Sequence, residues 1–228
     1  RGLGDVYKRQ GQVLAMANTD TVDPNKNVED QLDEGKDFEN RSVSHPYEPG
    51  SVAKVVTAAA ALQEGVTTPD EVHQVPGSID MAGVTVNDAW EHGTEPYTTT
   101  GIFGKSSNVG TLMIADKLGQ EKYAEYLKKF GLGNTTGIEL PNESAGSVPD
   151  LEQWSGGTFA NLPIGQGQSW TTLQMASVYQ ALANGGERIE PRIIDSVKGP
   201  DGKDEKLEEP EKNQVVSPET AKTTVDMF

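Results

Sequence analysis

Residues 47–62 read YEPGSVAKVVTAAAAL, which places a serine and a lysine in a segment that is otherwise almost entirely apolar. Residues three apart on a helix are surface neighbours, so Lys54 lies one turn after Ser51 and can reach its hydroxyl. Burial in apolar surroundings lowers the pKa of a lysine, and such a lysine can take the proton of a serine nucleophile. The preceding Pro-Gly pair forms a turn that leaves Ser51 at a helix N-terminus, where free N–H groups favour a developing oxyanion. The pattern predicts a helix over residues 51–63 that carries a serine–lysine pair.

A purely structural explanation of the same residues is also open. Ser-x-x-Lys occurs about once by chance in a chain of this length, with Ser51 as an N-cap and Lys54 reaching along the surface to solvent. An amphipathic surface helix needs a polar face, however, and residues 55–62 provide almost none. This apolar context favours the catalytic interpretation.

The composition restricts the classes of protein to which the chain can belong. Its 228 residues are 34% hydrophobic, which suits one globular domain or most of one. The formal net charge of −16 and the lack of a basic stripe argue against nucleic acid as a partner. The absence of cysteine excludes disulfides, thiolate metal sites and a cysteine nucleophile. His45, His73 and His92 lack the spacing of metal ligands, so we expect no metal and no other cofactor.

The two ends of the sequence lead to separate expectations. Residues 1–10, RGLGDVYKRQ, are rich in glycine and basic residues, and we expect a foreign or disordered segment there. Residues 11–228 are expected to form a partial domain. The sequence contains neither a signal peptide nor a run of about 18 apolar residues, so we expect any membrane anchor to lie outside it.

The remaining pattern predicts a domain that mixes helices and strands. Polar residues 23–38 are expected to form a loop, and residues 198–212 a solvated hairpin loop. Gly165-x-Gly167 lacks a full phosphate-loop pattern and predicts a turn or a close packing contact. Helices are predicted at 98–103, 108–118, 121–130, 171–183 and from 217, and strands at 11–17, within 72–86 and at 191–197.

A second polar motif, Ser106-Ser107-Asn108, precedes the helix predicted at 108–118. A serine hydroxyl in such a loop can pass a proton between a lysine and a leaving group, and the Asn108 amide can hold a substrate carbonyl. The structural alternative is a simple helix N-cap, for which serine and asparagine are the usual residues.

Ser-x-x-Lys followed about fifty residues later by Ser-x-Asn resembles the penicillin-binding proteins and serine β-lactamases, whose motifs also include Lys-Thr-Gly on a strand. The flanking residues narrow the resemblance to class B penicillin-binding proteins, the cell-wall transpeptidases of division and elongation. This resemblance covers residues 11–228 and implies an α/β (α+β) fold of the transpeptidase and serine β-lactamase type, with an antiparallel sheet and a helical subdomain. The segments that carry it are GQVLAMA at 11–17, NRSV at 40–43, KSSNVGT at 105–111, FGLG at 130–133, TGIELP at 136–141, GQG at 165–167 and TTLQ at 171–174.

The sequence departs from the family pattern in two places. Trp170 and Thr172 stand where valine and proline are usual, which is a difference of packing. Lys-Thr-Gly does not occur, and Lys222-Thr223-Thr224 is no substitute because it lies in the last predicted helix. The third motif follows that helix in the family, so we expect a truncated domain whose C-terminal strands are missing from this sequence. This piece alone is expected to be inactive.

The resemblance implies a peptidoglycan D,D-transpeptidase that forms cell-wall cross-links through a serine acyl-enzyme. By this analogy Ser51 attacks the bond between the last two D-alanines of a stem peptide, Lys54 is the general base, Ser106 relays the proton and Asn108 binds the peptide backbone. β-Lactams would acylate the same serine. The resemblance also implies a place on the extracytoplasmic face of a bacterial membrane, with division or elongation membrane proteins as partners.

Two other functions stay open at this point. A serine β-lactamase shares the fold and the first two motifs but needs a positioned base for deacylation by water. Glu139 and Glu143 fall in the interval where such a glutamate would lie, although the setting TGIELP matches the transpeptidase pattern. The other alternative is a non-catalytic β-lactam sensor or a scaffold for division proteins.

Overall fold

The fold is described from a computed structural model, which covers residues 11–205 and 207–228. The expectation of a foreign or disordered segment at residues 1–10 lies outside the described residues. The helices are α1 (Val28–Asp33), α2 (Arg41–Ser44), α3 (Lys54–Gln63), α4 (Thr99–Gly104), α5 (Asn108–Leu118), α6 (Gln120–Lys129), α7 (Gly156–Phe159), α8 (Thr172–Ala183) and α9 (Pro218–Met227). The strands are β1 (Val72–Val75), β2 (Ser78–Met81), β3 (Val84–Asn87), β4 (Glu95–Thr98), β5 (Glu187–Ile189), β6 (Val197–Lys198), β7 (Asp204–Glu205) and β8 (Lys212–Gln214).

Helix α3 is the centre of the core. Every residue from Lys54 to Ala61 is buried, which fits a helix that is apolar on nearly its whole circumference. Helices α5, α6 and α9 pack against it, and the main apolar cluster also includes Trp170 and Tyr123. The prediction of a helix buried on all sides is therefore confirmed.

The strands form short antiparallel pairs within the described residues: β1 with β4, β2 with β3, β5 with β8, and β6 with β7. The β2–β3 hairpin turns at Ala82 and Gly83, both of which have positive φ, as a tight two-residue hairpin turn requires. This hairpin ends at Asn87, close to the start of α5, because α5 packs against β3. The small strands predicted within 72–86 are confirmed. The hairpin predicted at 198–212 is shorter than expected, because β6 and β7 pair within residues 197–205 and β8 pairs with β5.

Local signals set most helix ends. Thr171 and Gln174 form a reciprocal capping box at the start of α8. Ser217 caps α9 with Pro218 in its first turn, as the sequence predicts. The helices predicted at 98–103, 108–118 and 121–130 are found within about two residues of their expected ends, which is the usual uncertainty of helix boundaries.

Three predictions of secondary structure are wrong. The strand expected at 11–17 is reduced to isolated contacts, in which Val13 N–H donates to the Arg192 carbonyl at 2.9 Å. The strand expected at 191–197 is also irregular, because its pairing with the N-terminal segment is limited to the isolated bridge at Arg192. Strand β5 lies earlier in the chain, where β8 offers a continuous partner. The expected loop at 23–38 contains α1, whose start is stabilised by the Asn27 side chain accepting from Glu29 N–H.

The first turn of the predicted helix 51–63 also differs from the expectation. Residues Gly50–Ala53 form a 3₁₀ turn, and the α-helix begins at Lys54. Among the described residues, every helix is too short or too polar to cross a lipid bilayer.

Candidate active site

Ser51 lies in the 3₁₀ turn Gly50–Ala53 that leads into α3. Side chains three residues apart eclipse one another in a 3₁₀ helix, so Ser51 and Lys54 share one face of this turn. Ser51 is exposed, whereas Lys54 is only 1% exposed. The pair thus runs from the surface, where a substrate can approach, into the core.

A second loop fixes the turn that carries Ser51. Gly50 N–H donates to the carbonyl of Gly165 at 3.0 Å, and Gly165 adopts a left-handed conformation with φ +85°. A Cβ atom at Gly165 would lie 1.9 Å from the Gly50 carbonyl oxygen, so only glycine fits there. Gly167 N–H donates to Glu48 Oε1 at 2.9 Å. The close packing contact predicted for Gly165-x-Gly167 is confirmed, and its partner is the turn before Ser51.

The ammonium group of Lys54 has three acceptors. Nζ donates to the Ser106 carbonyl oxygen at 2.6 Å, to Ser106 Oγ at 3.0 Å and to Asn108 Oδ1 at 2.7 Å. A lysine has three protons to donate, so this set uses all of them. The structure therefore brings together three of the four predicted site residues through direct hydrogen bonds.

The sequence predicts that the amine of Lys54 can reach the Ser51 hydroxyl, but among the described residues the amine does not donate to it. Within the described ranges Lys54 Nζ makes its side-chain contacts with Ser106 and Asn108, and Ser51 Oγ is not among its acceptors. The physical reason is that a protonated amine with three satisfied donors has none left for the serine. Loss of one proton would free a lone pair on the same nitrogen, one 3₁₀ turn from Ser51.

The environment of Lys54 favours that loss. Burial lowers the pKa of Lys54 from 10.5 to about 8, and the negative charge of Asp88 opposes this effect. All three hydrogen-bond acceptors of the amine are uncharged. A buried amine of this kind is neutral in a useful fraction of molecules near neutral pH, as a general base must be.

Ser106 has an unusual backbone conformation. Its φ is +57°, a left-handed value that a residue with a side chain rarely adopts. In this conformation the Ser106 carbonyl and hydroxyl both contact the same amine. Strained residues of this type typically cost about 1–3 kcal/mol and cluster at functional sites.

The structural alternative for the Ser-x-Asn motif applies to its middle residue. Ser107 is the N-cap of α5, and its Oγ accepts from Gly110 N–H at 2.9 Å. Ser106 and Asn108 on either side are not needed as caps, and both turn to Lys54. Asn108 Nδ2 also donates to the carbonyl of Asn87 at 3.1 Å, which ties the motif to the end of β3.

Asp88 lies beside this motif and was missed by the sequence analysis. Its carboxylate accepts from Ser107 Oγ at 2.7 Å and from Val109 N–H at 3.0 Å. The only signal in the sequence is an aspartate directly after a strand, which ordinarily marks a turn.

The two glutamates considered for a β-lactamase mechanism are engaged elsewhere. Glu143 Oε1 accepts from the backbone N–H and the hydroxyl of Thr136, at 2.7 and 2.6 Å. Glu139 Oε2 accepts from Ile193 N–H at 3.1 Å. Both carboxylates therefore support local loops rather than the group around Lys54.

The three histidines lie in separate environments. His45 pairs with Glu39, His73 contacts Thr99, and His92 contacts Asp88. In the portion of the chain that the structure covers, no group of three or more His, Asp or Glu side chains is placed to hold a metal ion.

Comparison with known proteins gives consistent matches. Residues 6–228 match the family model described as penicillin-binding protein transpeptidase domain. The chain is 58% identical to penicillin-binding protein PbpB of Mycolicibacterium smegmatis over 220 residues, which is 96% of this chain and 34% of the relative. It is 33% identical to peptidoglycan D,D-transpeptidase FtsI of Escherichia coli over 177 residues, 77% of this chain and 29% of the relative. A crystal structure of penicillin-binding protein 3 from Mycobacterium tuberculosis, complexed with aztreonam, has a TM-score of 0.92 and 57% identity, and the match covers 96% of this chain and 48% of that one.

These matches decide both the family and the fold. The chain spans about a third of the length of the curated relatives and about half of the solved chain. The TM-score of 0.92 confirms the predicted mixed fold with short antiparallel strands and a helical part. Since the family model covers nearly all of the chain, the chain belongs to the penicillin-binding protein transpeptidase domain family, in its class B, PbpB-like branch.

Proposed function

We propose that the protein carrying this chain is a serine-type peptidoglycan D,D-transpeptidase that forms cell-wall cross-links. The observation that carries the proposal is the set of hydrogen bonds from Lys54 Nζ to Ser106 and Asn108, one 3₁₀ turn from the exposed Ser51. Family membership supports it, because one relative is named a peptidoglycan D,D-transpeptidase.

The proposed reaction begins with acylation of Ser51. The neutral amine of Lys54 takes the hydroxyl proton as Ser51 Oγ attacks the carbonyl carbon between the two terminal D-alanines. The C–N bond breaks, Ser106 Oγ passes the proton to the leaving nitrogen, and D-alanine departs. Asn108 holds the backbone of the acyl donor. An amine of a neighbouring stem peptide then attacks the ester carbonyl, and the C–O bond to Ser51 breaks as the cross-link forms. The proton that the amine loses ends on Ser51 Oγ, which restores the free hydroxyl.

The proposed acylation also applies to β-lactams. A β-lactam carries a strained amide, and its ring opening by Ser51 would leave an ester on the enzyme. The related penicillin-binding protein 3 structure is a complex with aztreonam.

A peptidoglycan substrate requires a site on the extracytoplasmic face of the bacterial membrane. We propose that location, with an N-terminal anchor outside this sequence and division or elongation membrane proteins as partners.

The β-lactamase alternative is less well supported. It requires a positioned base for deacylation, and the two glutamates considered for that role, Glu139 and Glu143, are both committed to loop contacts. A scaffold that does not react with β-lactams would not require a lysine with a lowered pKa.

Intact-mass spectrometry with ampicillin tests the proposal. The experiment uses the full-length protein, meaning the longest reading frame that contains this sequence. We expect one covalent adduct that persists for hours in the parent and is absent in Ser51→Ala. Ser196→Ala, which removes an exposed loop hydroxyl, is the matched control and should label as the parent does. An adduct of equal yield on Ser51→Ala contradicts the proposal, and an adduct that hydrolyses within minutes favours a β-lactamase.

A further inference from the structure

Asp88 is a buried carboxylate next to the candidate active site. Its side chain is 0% exposed, and that of its neighbour His92 is 3% exposed. A carboxylate buried in this way must be well supplied with hydrogen bonds, because an unpaired buried charge is strongly destabilising. The hydrogen-bond donors of Asp88 therefore show which part of the structure this carboxylate fixes in place.

Two of those donors bracket Asn108. Asp88 Oδ2 accepts from Ser107 Oγ at 2.7 Å, and Oδ1 accepts from Val109 N–H at 3.0 Å. Asn108 is the residue between them, and its own side chain is tied to the carbonyl of Asn87 at 3.1 Å. Asp88 thus holds the residues on either side of Asn108, and Asn87 holds its side chain.

The third donor is the imidazole of His92. Nε2 donates to Asp88 Oδ2 at 3.0 Å, and Trp90 stacks on the imidazole ring with centroids 5.3 Å apart. The carboxylate also lies at the N-terminus of α5, where the helix dipole favours negative charge. Asp88 is consequently held on several sides and cannot easily move away from the motif.

The charge of Asp88 also matters to Lys54. The amine of Lys54 donates only to uncharged oxygens of Ser106 and Asn108. The negative charge of Asp88 raises the pKa of Lys54, against the effect of burial, and the link between the two side chains runs through the Ser107–Val109 segment that carries Asn108. One side chain therefore has two links to the site, one mechanical and one electrostatic.

We infer that Asp88 is a positioning residue of the active site, which clamps Asn108 through Ser107 and Val109 and supplies the buried negative charge that stabilises protonated Lys54. The inference rests on the proposed serine acylation. It assigns Asp88 no contact with substrate.

Among the described residues, Tyr97 is another titratable group that feels the charge of Asp88. Tyr97 donates to Glu95 at 2.5 Å, which raises the pKa of Tyr97, and Asp88 adds a smaller effect of the same sign. Lys105 lies over the rings of Trp90 and Tyr97, 5.7 and 5.2 Å from their centroids. Of the groups near Asp88, Lys54 is the one whose neutral form the proposed reaction needs.

The test measures the acylation rate constant of the full-length protein with a fluorescent penicillin from about pH 6 to about pH 10. In Asp88→Asn we expect the maximal rate constant to fall about 10-fold or more, because small displacements of a site reach 10²-fold. We also expect the acid limb of the profile to move to lower pH, because the lysine loses an opposing charge. Asp80→Asn, the same change on the exposed strand β2, should alter neither quantity.

An acid limb that does not move in Asp88→Asn overturns the inference, because a carboxylate with a purely structural role would not act on Lys54. Asp88→Glu keeps the charge and shifts its position. The acid limb of this variant's pH profile should therefore stay at the parent's pH, while its maximal acylation rate constant falls. If circular dichroism shows that Asp88→Asn does not fold, Asp88→Glu decides, and a parent-like rate constant in it overturns the inference. Failure of the proposed function is distinct, since the parent would then form no adduct that depends on Ser51.

Discussion

Lys54 shows how a single residue links stability to chemistry. Its side chain is enclosed by the core, where an ammonium loses its hydration, and its hydrogen bonds go to neutral groups only. The resulting pKa of about 8 makes the amine a usable base, but it also means that the folded protein holds a poorly solvated charge at neutral pH. The property that serves catalysis in the proposed function therefore lowers the stability of the fold.

This relation predicts the behaviour of Lys54→Met, which keeps most of the side-chain volume. The pKa is about 8 in the folded chain and 10.5 ordinarily, so between these values the unfolded chain binds more protons and the parent gains stability as pH rises. The variant lacks this gain. We expect it to be the more stable protein at pH 7, with an advantage that shrinks by about 3 kcal/mol at most between about pH 8 and about pH 10.5. Urea unfolding of both proteins at about pH 8 and about pH 10.5 measures the difference in their free energies of unfolding.

The same variant should form no acyl-enzyme, since the proposed base is gone. Lys117→Met is the matched control, because Lys117 lies exposed on α5 beside Glu71. Its unfolding should follow the pH dependence of the parent, and it should acylate normally. Normal acylation of Lys54→Met would show that Lys54 is not the base that activates Ser51.

At the scale of elements, what the sequence could predict depends on how local the cause is. The helix α3 follows from an uninterrupted apolar run, and α8 and α9 follow from caps a few residues away. The strand expected at 11–17 failed because a strand needs a continuous partner, and Arg192 forms only an isolated bridge with it, through two backbone hydrogen bonds to Gly11 and Val13. The 3₁₀ turn at Ser51 could not be predicted either, because the Gly165 loop that holds it lies more than a hundred residues away.

The candidate site divides in the same way. Ser51, Lys54, Ser106 and Asn108 could be predicted because each belongs to a motif with a fixed spacing. Asp88 was not found, because its contacts with Ser107 and Val109 depend on how the β2–β3 hairpin meets α5. An aspartate after a strand has too many ordinary explanations for sequence alone to single it out.

The loop at Gly165 predicts the effect of a single methyl group on the turn that carries Ser51. In Gly165→Ala the new Cβ would overlap the Gly50 carbonyl oxygen at 1.9 Å, in a backbone conformation that disfavours side chains. We expect a destabilisation of about 2 kcal/mol or more and a loss of acylation of about 10²-fold, because the turn must move. Gly65→Ala is the control, since Gly65 also has positive φ but has open space around it.

Gly65→Ala should therefore show only the backbone penalty of about 1 kcal/mol and a parent-like acylation rate. Unfolding measurements and labelling with a fluorescent penicillin compare the two variants. If Gly165→Ala acylates as fast as Gly65→Ala, the contact between Gly165 and Gly50 does not position Ser51.

At the scale of the whole molecule, the chain is strongly acidic, but the surface of the described residues is not uniformly polar. Leu14 and Ile193 are 55% and 44% exposed and line one small surface cavity. Val225 and Phe228 at the end of α9 are 52% and 55% exposed. Exposed apolar side chains of this kind promote association when nothing covers them.

The last prediction concerns how much of the protein the reaction needs. The sequence has no Lys-Thr-Gly. We expect the strand that carries this third motif to supply one wall of the active site and an oxyanion donor. Loss of one such donor typically lowers the rate by about 10²–10³. We therefore expect residues 11–228 alone to label with a fluorescent penicillin at least about 10²-fold more slowly than the full-length protein, and to aggregate more readily. Ser51→Ala in both lengths gives the background. Equal labelling of the two lengths would mean that residues 11–228 already hold every group that acylation requires, and the oxyanion donors would then have to be sought among the described residues.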